Sequence, residues 1–117
     1  MIIQGRRAYH YSNGWLIGAL GVVAHPGEIR AECLYTKNDV GECLQTNHGC
    51  GHNISKLEQP HNGGGEFIAE VIGWGKYIEG EIGWRTEWME IVGIICPEDF
   101  PQEEKDLLAR YYDCEVR

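Results

Sequence analysis

The sequence has few basic residues and no long apolar run. No stretch approaches the roughly 18 consecutive apolar residues that a membrane-spanning helix needs, and residues 1–7 lack an apolar run of signal-peptide length. These absences predict a soluble, cytoplasmic protein that does not act at a membrane. Ten Lys and Arg against 18 Asp and Glu give a formal net charge of −8. A surface of that sign repels phosphate backbones, so direct nucleic-acid binding is disfavoured.

Internal repeats are also absent, and 117 residues fit one domain near the lower end of sizes that a single apolar core supports. The 16 glycines are about twice the usual share of ~7%, which favours tight turns over long helices. We therefore expect a single mainly β (α+β) domain over residues 1–117, with an antiparallel sheet built from hairpins. Its predicted parts are N-terminal strands (1–35), a zinc-pinned central loop (33–59), a long hairpin (66–96) and a C-terminal helix (101–112).

Turn residues divide the N-terminal part of the chain into short strands. The pattern predicts a strand over residues 2–11, a hairpin turn at 12–14 and a returning strand over 15–23. After a break at His25-Pro26-Gly27, a third short strand is predicted over 29–35.

The middle of the chain is polar and has little apolar periodicity. It therefore cannot bury itself, and a metal ion would hold it in place. Residues 54–59 are predicted to form one helical turn, and residues 60–65, rich in glycine, a linker to the second β region.

The strongest strand signal comes from residues 67–79 followed by 84–96, joined by a glycine-flanked turn. With Gly80 opposite Gly83, residues whose numbers sum to 163 face each other, which matches opposite charges and aliphatic side chains. The predicted pairs are Lys76 with Glu87, Ile72 with Ile91, Val71 with Val92, and Gly75 with Trp88. Residues 101–112 are then predicted to form a helix with acidic residues in its first half. Its predicted apolar side carries Leu107, Leu108 and Tyr111.

Four residues of the central loop form a candidate metal site: Cys33, Cys43, His48 and Cys50. Three thiolates and one imidazole are ligands that zinc takes in closed, tetrahedral structural sites, which leave no position open for a catalytic water. His52 is an alternative nitrogen ligand, and a disulfide or buried free thiols are further alternatives. Cys96 and Cys114 are predicted to be unliganded thiols.

A second constellation lies on the long hairpin and comprises Trp74, Lys76, Glu79, Trp84, Arg85 and Glu87. Three interpretations are open. The charged residues could form a ladder of cross-strand ion pairs, the tryptophans and Arg85 could form a recognition surface, or the carboxylates could serve as acid and base. No nucleophile or phosphate-binding loop accompanies them in the sequence, which makes catalysis the weakest of the three.

Several stretches resemble a family of small proteins, rich in cysteine and histidine, from actinobacteria and their phages. The stretches are residues 5–9 (GRRAY), 26–33 (PGEIRAEC), 50–54 (CGHNI), 74–79 (WGKYIE) and 83–87 (GWRTE). The family pattern reads G-F-R-A-W, A-x-C, H, C-x-C-G-I-Y, L-W-G-x-V-x-E and G-[YW]-R-A-E. The resemblance implies an architecture and a structural metal, and no reaction. Relative to that pattern a histidine and a cysteine have exchanged places, which metal coordination permits and a disulfide does not.

These features predict a non-catalytic, zinc-stabilised binding domain whose partner is another protein. It would be an interaction or inhibitor protein of the kind that phages and mobile elements encode against host defence. One alternative is a small nucleotide- or ligand-processing enzyme that uses Arg85 with Glu79 and Glu87; another is a structural accessory subunit. A large exposed aromatic patch would favour binding, whereas a deep pocket holding Arg85 and a carboxylate with a shifted pKa would favour the enzyme.

Overall fold

Two long strands dominate the computed structural model, which describes residues 1–18, 21–31, 51–60 and 65–117. Within that part of the chain the fold is mainly antiparallel β, with one helix near the C-terminus. The strands are β1 (Ile3–Ser12), β2 (Trp15–Ile17), β3 (Ile29–Arg30), β4 (His52–Ser55), β5 (Phe67–Glu79), β6 (Gly83–Ile95) and β7 (Glu115–Val116), and the helix is α1 (Gln102–Tyr112).

The strands pair in a closed circuit. β5 lies between β1 and β6 and is antiparallel to both. The other edge of β6 pairs with β4, then β3, and finally with β7, which runs parallel to it. β4 pairs back to β1 through Arg6 and Ser55, so the order β1–β5–β6–β4 returns to β1. The circuit encloses the core, in which Val71, Met89 and Ile94 are almost fully buried.

Glycines allow β4 to close the circuit. Ile54 of β4 is 1% exposed. A side chain at Gly5 or at Gly73 would overlap the Ile54 side chain, and one at Gly83 would overlap the Ile54 carbonyl group. Each of β1, β5 and β6 therefore provides a glycine where β4 approaches, because only a residue without a Cβ atom leaves room.

Helix α1 is attached to the sheet by Leu108 and Tyr112, which are 0% and 3% exposed. The hydroxyl group of Tyr112 accepts a hydrogen bond from the Leu16 N–H at 2.9 Å and donates one to the Ala24 carbonyl oxygen at 2.8 Å. Burial raises the pKa of Tyr112 to about 12. One phenol thus links the helix to β2 and to the segment that follows it.

The first hairpin and the helix bounds agree with the sequence prediction, with some corrections. Asn13 and Gly14 have φ angles of 50° and 89°, which suit a tight hairpin turn. The returning strand β2 is shorter than predicted, although Val23 forms an isolated bridge with Ile17. On α1 the prediction of an inward Leu107 was wrong, because this side chain is 52% exposed and Tyr112 packs inward instead.

The predicted helical turn at residues 54–59 was wrong. Ile54 and Ser55 belong to β4, where they pair with Trp84 and Gly83. The neighbouring edge of β6 recruits these residues as a strand, which local propensity does not indicate. The predicted third strand is confirmed at β3, and its predicted continuation beyond residue 31 lies outside the described residues.

The register of the long hairpin was predicted correctly at both ends and incorrectly between them. Glu79 pairs with Trp84 and Glu70 with Gly93, as the sum of 163 requires. Between these pairs, two irregularities shift the register by one residue, so that Val71 pairs with Ile91 and Ile72 with Glu90. The predicted pairs Ile72–Ile91, Val71–Val92 and Gly75–Trp88 were therefore wrong.

Candidate functional site on the long hairpin

The hairpin surface predicted from the sequence falls on the outer part of β5 and β6. Along it, Glu79 pairs with Trp84, Ile78 with Arg85 and Trp74 with Trp88. The indole rings of Trp74 and Trp88 are stacked, with centroids 6.2 Å apart and planes inclined by 5°. The structure therefore brings Trp74, Lys76, Glu79, Trp84, Arg85 and Glu87 onto one section of the hairpin.

A bulge separates the two halves of this section. Gly75, with a φ angle of 82°, and Lys76 together lie opposite Glu87. Glu87 Oε1 accepts a hydrogen bond from the Lys76 backbone N–H at 3.2 Å. Lys76 thus lies beside Glu87 as predicted, but its amide makes the contact where we expected the ammonium group, because the bulge turns that amide toward the carboxylate.

The cation that pairs with Glu87 comes from β3. Arg30 Nε and Nη2 donate to Glu87 Oε2 at 3.2 and 3.1 Å. The Glu87 side chain is only 13% exposed, so the pair is partly shielded from solvent. This contact ties β3 to the bulge on the long hairpin.

The cation that pairs with Glu79 comes from the segment after β4. Lys56 Nζ lies 2.7 Å from Glu79 Oε2, donates to the Gly80 carbonyl oxygen at 3.0 Å and lies 5.0 Å from the centre of the Trp84 ring. The hydrogen bond and charge of Lys56 lower the pKa of Glu79. Lys56 was not among the predicted surface residues, because no strand was predicted at residues 52–55 beside the hairpin.

These ion pairs tie the hairpin to neighbouring segments and do not run across its own two strands as the predicted ladder would, and their geometry favours recognition over catalysis. Glu79 and the bulge opposite Glu87 are three residues apart on β5, about 10 Å along a strand. Each carboxylate has its own cation, and the pKa of Glu79 is lowered where a general acid needs a raised one. The groove that Arg85 lines has no carboxylate among its described lining residues.

The groove itself is apolar. It lies between β4 and the tip of the hairpin. Its apolar lining comes from Leu57, Ile78, Ile82 and Trp84, and Asn53, Ser55 and Arg85 also line it. Leu57 is 41% exposed and Ile82 is 68% exposed. Exposed apolar side chains of this kind beside a groove are typical of a surface that another protein covers.

The predicted metal ligands Cys33, Cys43, His48 and Cys50 lie outside the described residues. Within residues 1–18, 21–31, 51–60 and 65–117, no group of three or more His, Cys, Asp or Glu could hold a metal ion. Cys96 and Cys114 are both half-buried free thiols, and burial raises the pKa of each.

The alternative ligand His52 lies on β4. Burial, and to a smaller extent the charge of Arg7, lower its pKa to about 4, so the ring is neutral at pH 7. His52 Nε2 lies 3.0 Å from the Ile29 carbonyl oxygen. Because a carbonyl can only accept, Nε2 carries the proton and Nδ1 keeps its lone pair.

The described residues on either side of segment 32–50 lie at neighbouring points of the sheet. The Ala31 N–H donates to the Glu87 carbonyl oxygen at 2.8 Å, and His52 pairs with Thr86. Glu87 and Thr86 are adjacent on β6, where consecutive residues are about 3.3 Å apart. The sheet thus holds together the two flanks of the segment that contains the four predicted ligands.

Comparison with known proteins gives no family for this chain: no family model, no curated protein and no solved structure matches it. Of the helices in the described part of the chain, none has the length and apolar character needed to cross a membrane.

Proposed function

We propose that this chain is a non-catalytic domain that binds another protein through the tip of its long hairpin. The observation that carries the proposal is the exposed apolar patch formed by Leu57 and Ile82 around the groove at Trp84. The net charge of −8 keeps the rest of the surface soluble. We also propose that the bound protein belongs to a host and is inhibited by this chain, as an anti-defence protein of a phage or mobile element would do.

The tip is built as a rigid surface. Lys56, just after β4, pairs with Glu79 on β5, and Arg30 on β3 pairs with Glu87 on β6, so both strands of the hairpin are tied to neighbouring segments. A surface that is ordered before binding loses less conformational entropy on association. Trp84, which lines the groove, is also of a residue type that often dominates binding energy.

We further propose that Cys33, Cys43, His48 and Cys50 bind one structural zinc ion, with His52 as the alternative nitrogen ligand. The ligand types and the closeness of Ala31 to His52 at the edge of β6 support this assignment. A histidine that binds a metal through one ring nitrogen usually donates the N–H of the other to a carboxylate or a backbone carbonyl. His52 makes such a contact with the Ile29 carbonyl oxygen, which keeps the alternative open.

A photo-crosslinking amino acid at position 82 tests the interaction surface. The matched control carries it at Leu107, which is also exposed but lies on α1. In a lysate of the encoding organism, we expect a discrete adduct from position 82 and none from position 107. Mass spectrometry then identifies the partner.

Binding of the purified partner gives the quantitative test. Ile82→Glu places a charge in the apolar patch and should weaken binding at least tenfold, or about 1.4 kcal/mol, while Leu107→Glu should change it less than twofold. Equal adducts at both positions, or equal losses of affinity, would rule out the tip as the contact surface.

A further inference from the structure

A second groove lies between β1, the start of β5 and the turn before α1. Three aromatic rings form its floor. Tyr11 and Phe67 are stacked with centroids 5.3 Å apart, and Phe100 packs its edge against both at 4.8 Å. Pro97 and Pro101 form one wall, and the backbone at Gly65 packs closely against β1 on the other.

The rim of this groove is acidic. Exposed Glu66 and Asp99 line it together with His10. Glu104 on α1 reaches it through Tyr11, from whose hydroxyl group it accepts a hydrogen bond at 3.1 Å. Within the described part of the chain, none of these three carboxylates forms an ion pair. By contrast, Glu79 and Glu87 each pair with a cation from a neighbouring strand.

An aromatic floor with an unpaired acidic rim suits one kind of group. A guanidinium group can lie flat on an aromatic ring while its N–H groups donate to carboxylates, whereas an anion would be repelled by the rim and a neutral chain would leave it unpaired. We propose that this groove binds an arginine side chain in a basic segment of a partner protein. This groove shares no lining residue with the groove at the hairpin tip, so binding here is independent of the function proposed for the tip.

An NMR titration of the full-length, 15N-labelled protein tests the assignment. The probe is the peptide acetyl-Gly-Arg-Gly-amide, and the control is the same peptide with citrulline, a neutral isostere of arginine. We expect saturable shifts of the amide signals of Glu66, Phe67, Asp99 and Phe100 with the arginine peptide. The citrulline peptide should produce none, since it lacks the charge that the carboxylates require.

Two variants locate the effect. Asp99→Asn removes one rim charge and should weaken binding about fivefold or more. Glu81→Gln, which removes an exposed charge at the hairpin turn, should change it less than 1.5-fold. Phe100→Leu keeps the charges and removes one ring of the floor, and it should also weaken binding; the dispersion of each variant's spectrum shows whether it remains folded.

Four results would overturn the proposal. Unsaturable shifts spread equally over Asp113 and Glu115 would mean that charge alone attracts the peptide. Equal binding of the citrulline peptide would exclude a cation, and equal binding of a lysine peptide would exclude a specific guanidinium site. Tighter binding of spermidine than of the arginine peptide would assign the groove to a polyamine in place of a protein.

Discussion

The hydroxyl group of Tyr112 provides a direct test of how α1 is attached to the sheet. Tyr112→Phe keeps the ring and removes only the oxygen, which leaves the Leu16 N–H and the Ala24 carbonyl group without their partner. Both residues are buried, at 0% and 7% exposure. An unsatisfied buried polar group costs about 1–3 kcal/mol. Taking the lower part of that range, about 1–2 kcal/mol, for each of the two groups, we expect a loss of about 2–4 kcal/mol in the free energy of unfolding.

For a chain of this size that loss lowers the Tm by roughly 8–16 °C. The control is Tyr111→Phe, because Tyr111 is the neighbouring tyrosine and packs through its ring against Trp15 at 4.5 Å. It should cost less than about 0.5 kcal/mol. Urea unfolding at pH 7 measures both variants. If Tyr112→Phe were no more destabilising than Tyr111→Phe, the hydroxyl group would not link the helix to β2.

The raised pKa of Tyr112 also predicts how the difference in stability between the wild type and Tyr112→Phe depends on pH. Tyr112 ionises near its ordinary value of 10.0 in the unfolded chain and only at about 12 in the folded protein. The protonated hydroxyl therefore contributes its full stability below pH 10 and loses it as the pH rises toward 12. The difference in stability between the wild type and Tyr112→Phe should narrow over that interval, and a constant difference would contradict this explanation.

Sequence periodicity predicted the long elements well because each has its own local signal. The alternation of apolar residues in β5 and the proline and acids at the start of α1 determine these elements without help from the rest of the chain. The side of α1 that faces the sheet was predicted less well. Moving the predicted apolar side along the helix by one residue replaces Leu107 with Tyr112. That choice depends on the hydrogen bonds of the Tyr112 hydroxyl group, which the sequence does not reveal.

The short strands β3 and β4 could not be predicted in the same way. They exist because the edge of β6 accepts them one after the other, and because glycines on three strands leave room for Ile54. Such features depend on contacts between distant parts of the chain. The same limitation explains why Lys56 and Arg30 were missed as the partners of Glu79 and Glu87: only the positions of β4 and β3 bring them to the hairpin.

Two further predictions concern the bulge and the metal. Gly75→Ala should lower the free energy of unfolding by about 1–3 kcal/mol, because φ is 82° and the added Cβ would lie 2.8 Å from Glu87 Oε1. The control is Gly80→Ala, whose Cβ would meet only the Gly83 carbonyl oxygen, at 3.6 Å. Equal melting temperatures of the two variants would contradict the bulge. Elemental analysis should find one zinc per chain. Cys96→Ser should cost about 1–2 kcal/mol of stability. Cys50→Ser should cost more, because losing a ligand removes metal-binding free energy from folding. A chelator should then speed hydrogen exchange of the Ala31 amide, which donates to the Glu87 carbonyl at the flank of segment 32–50, and leave the core amide of Val71 unchanged. Unchanged exchange at both amides in a zinc-free sample would show that the edge of β6 holds the flanks of this segment without a metal.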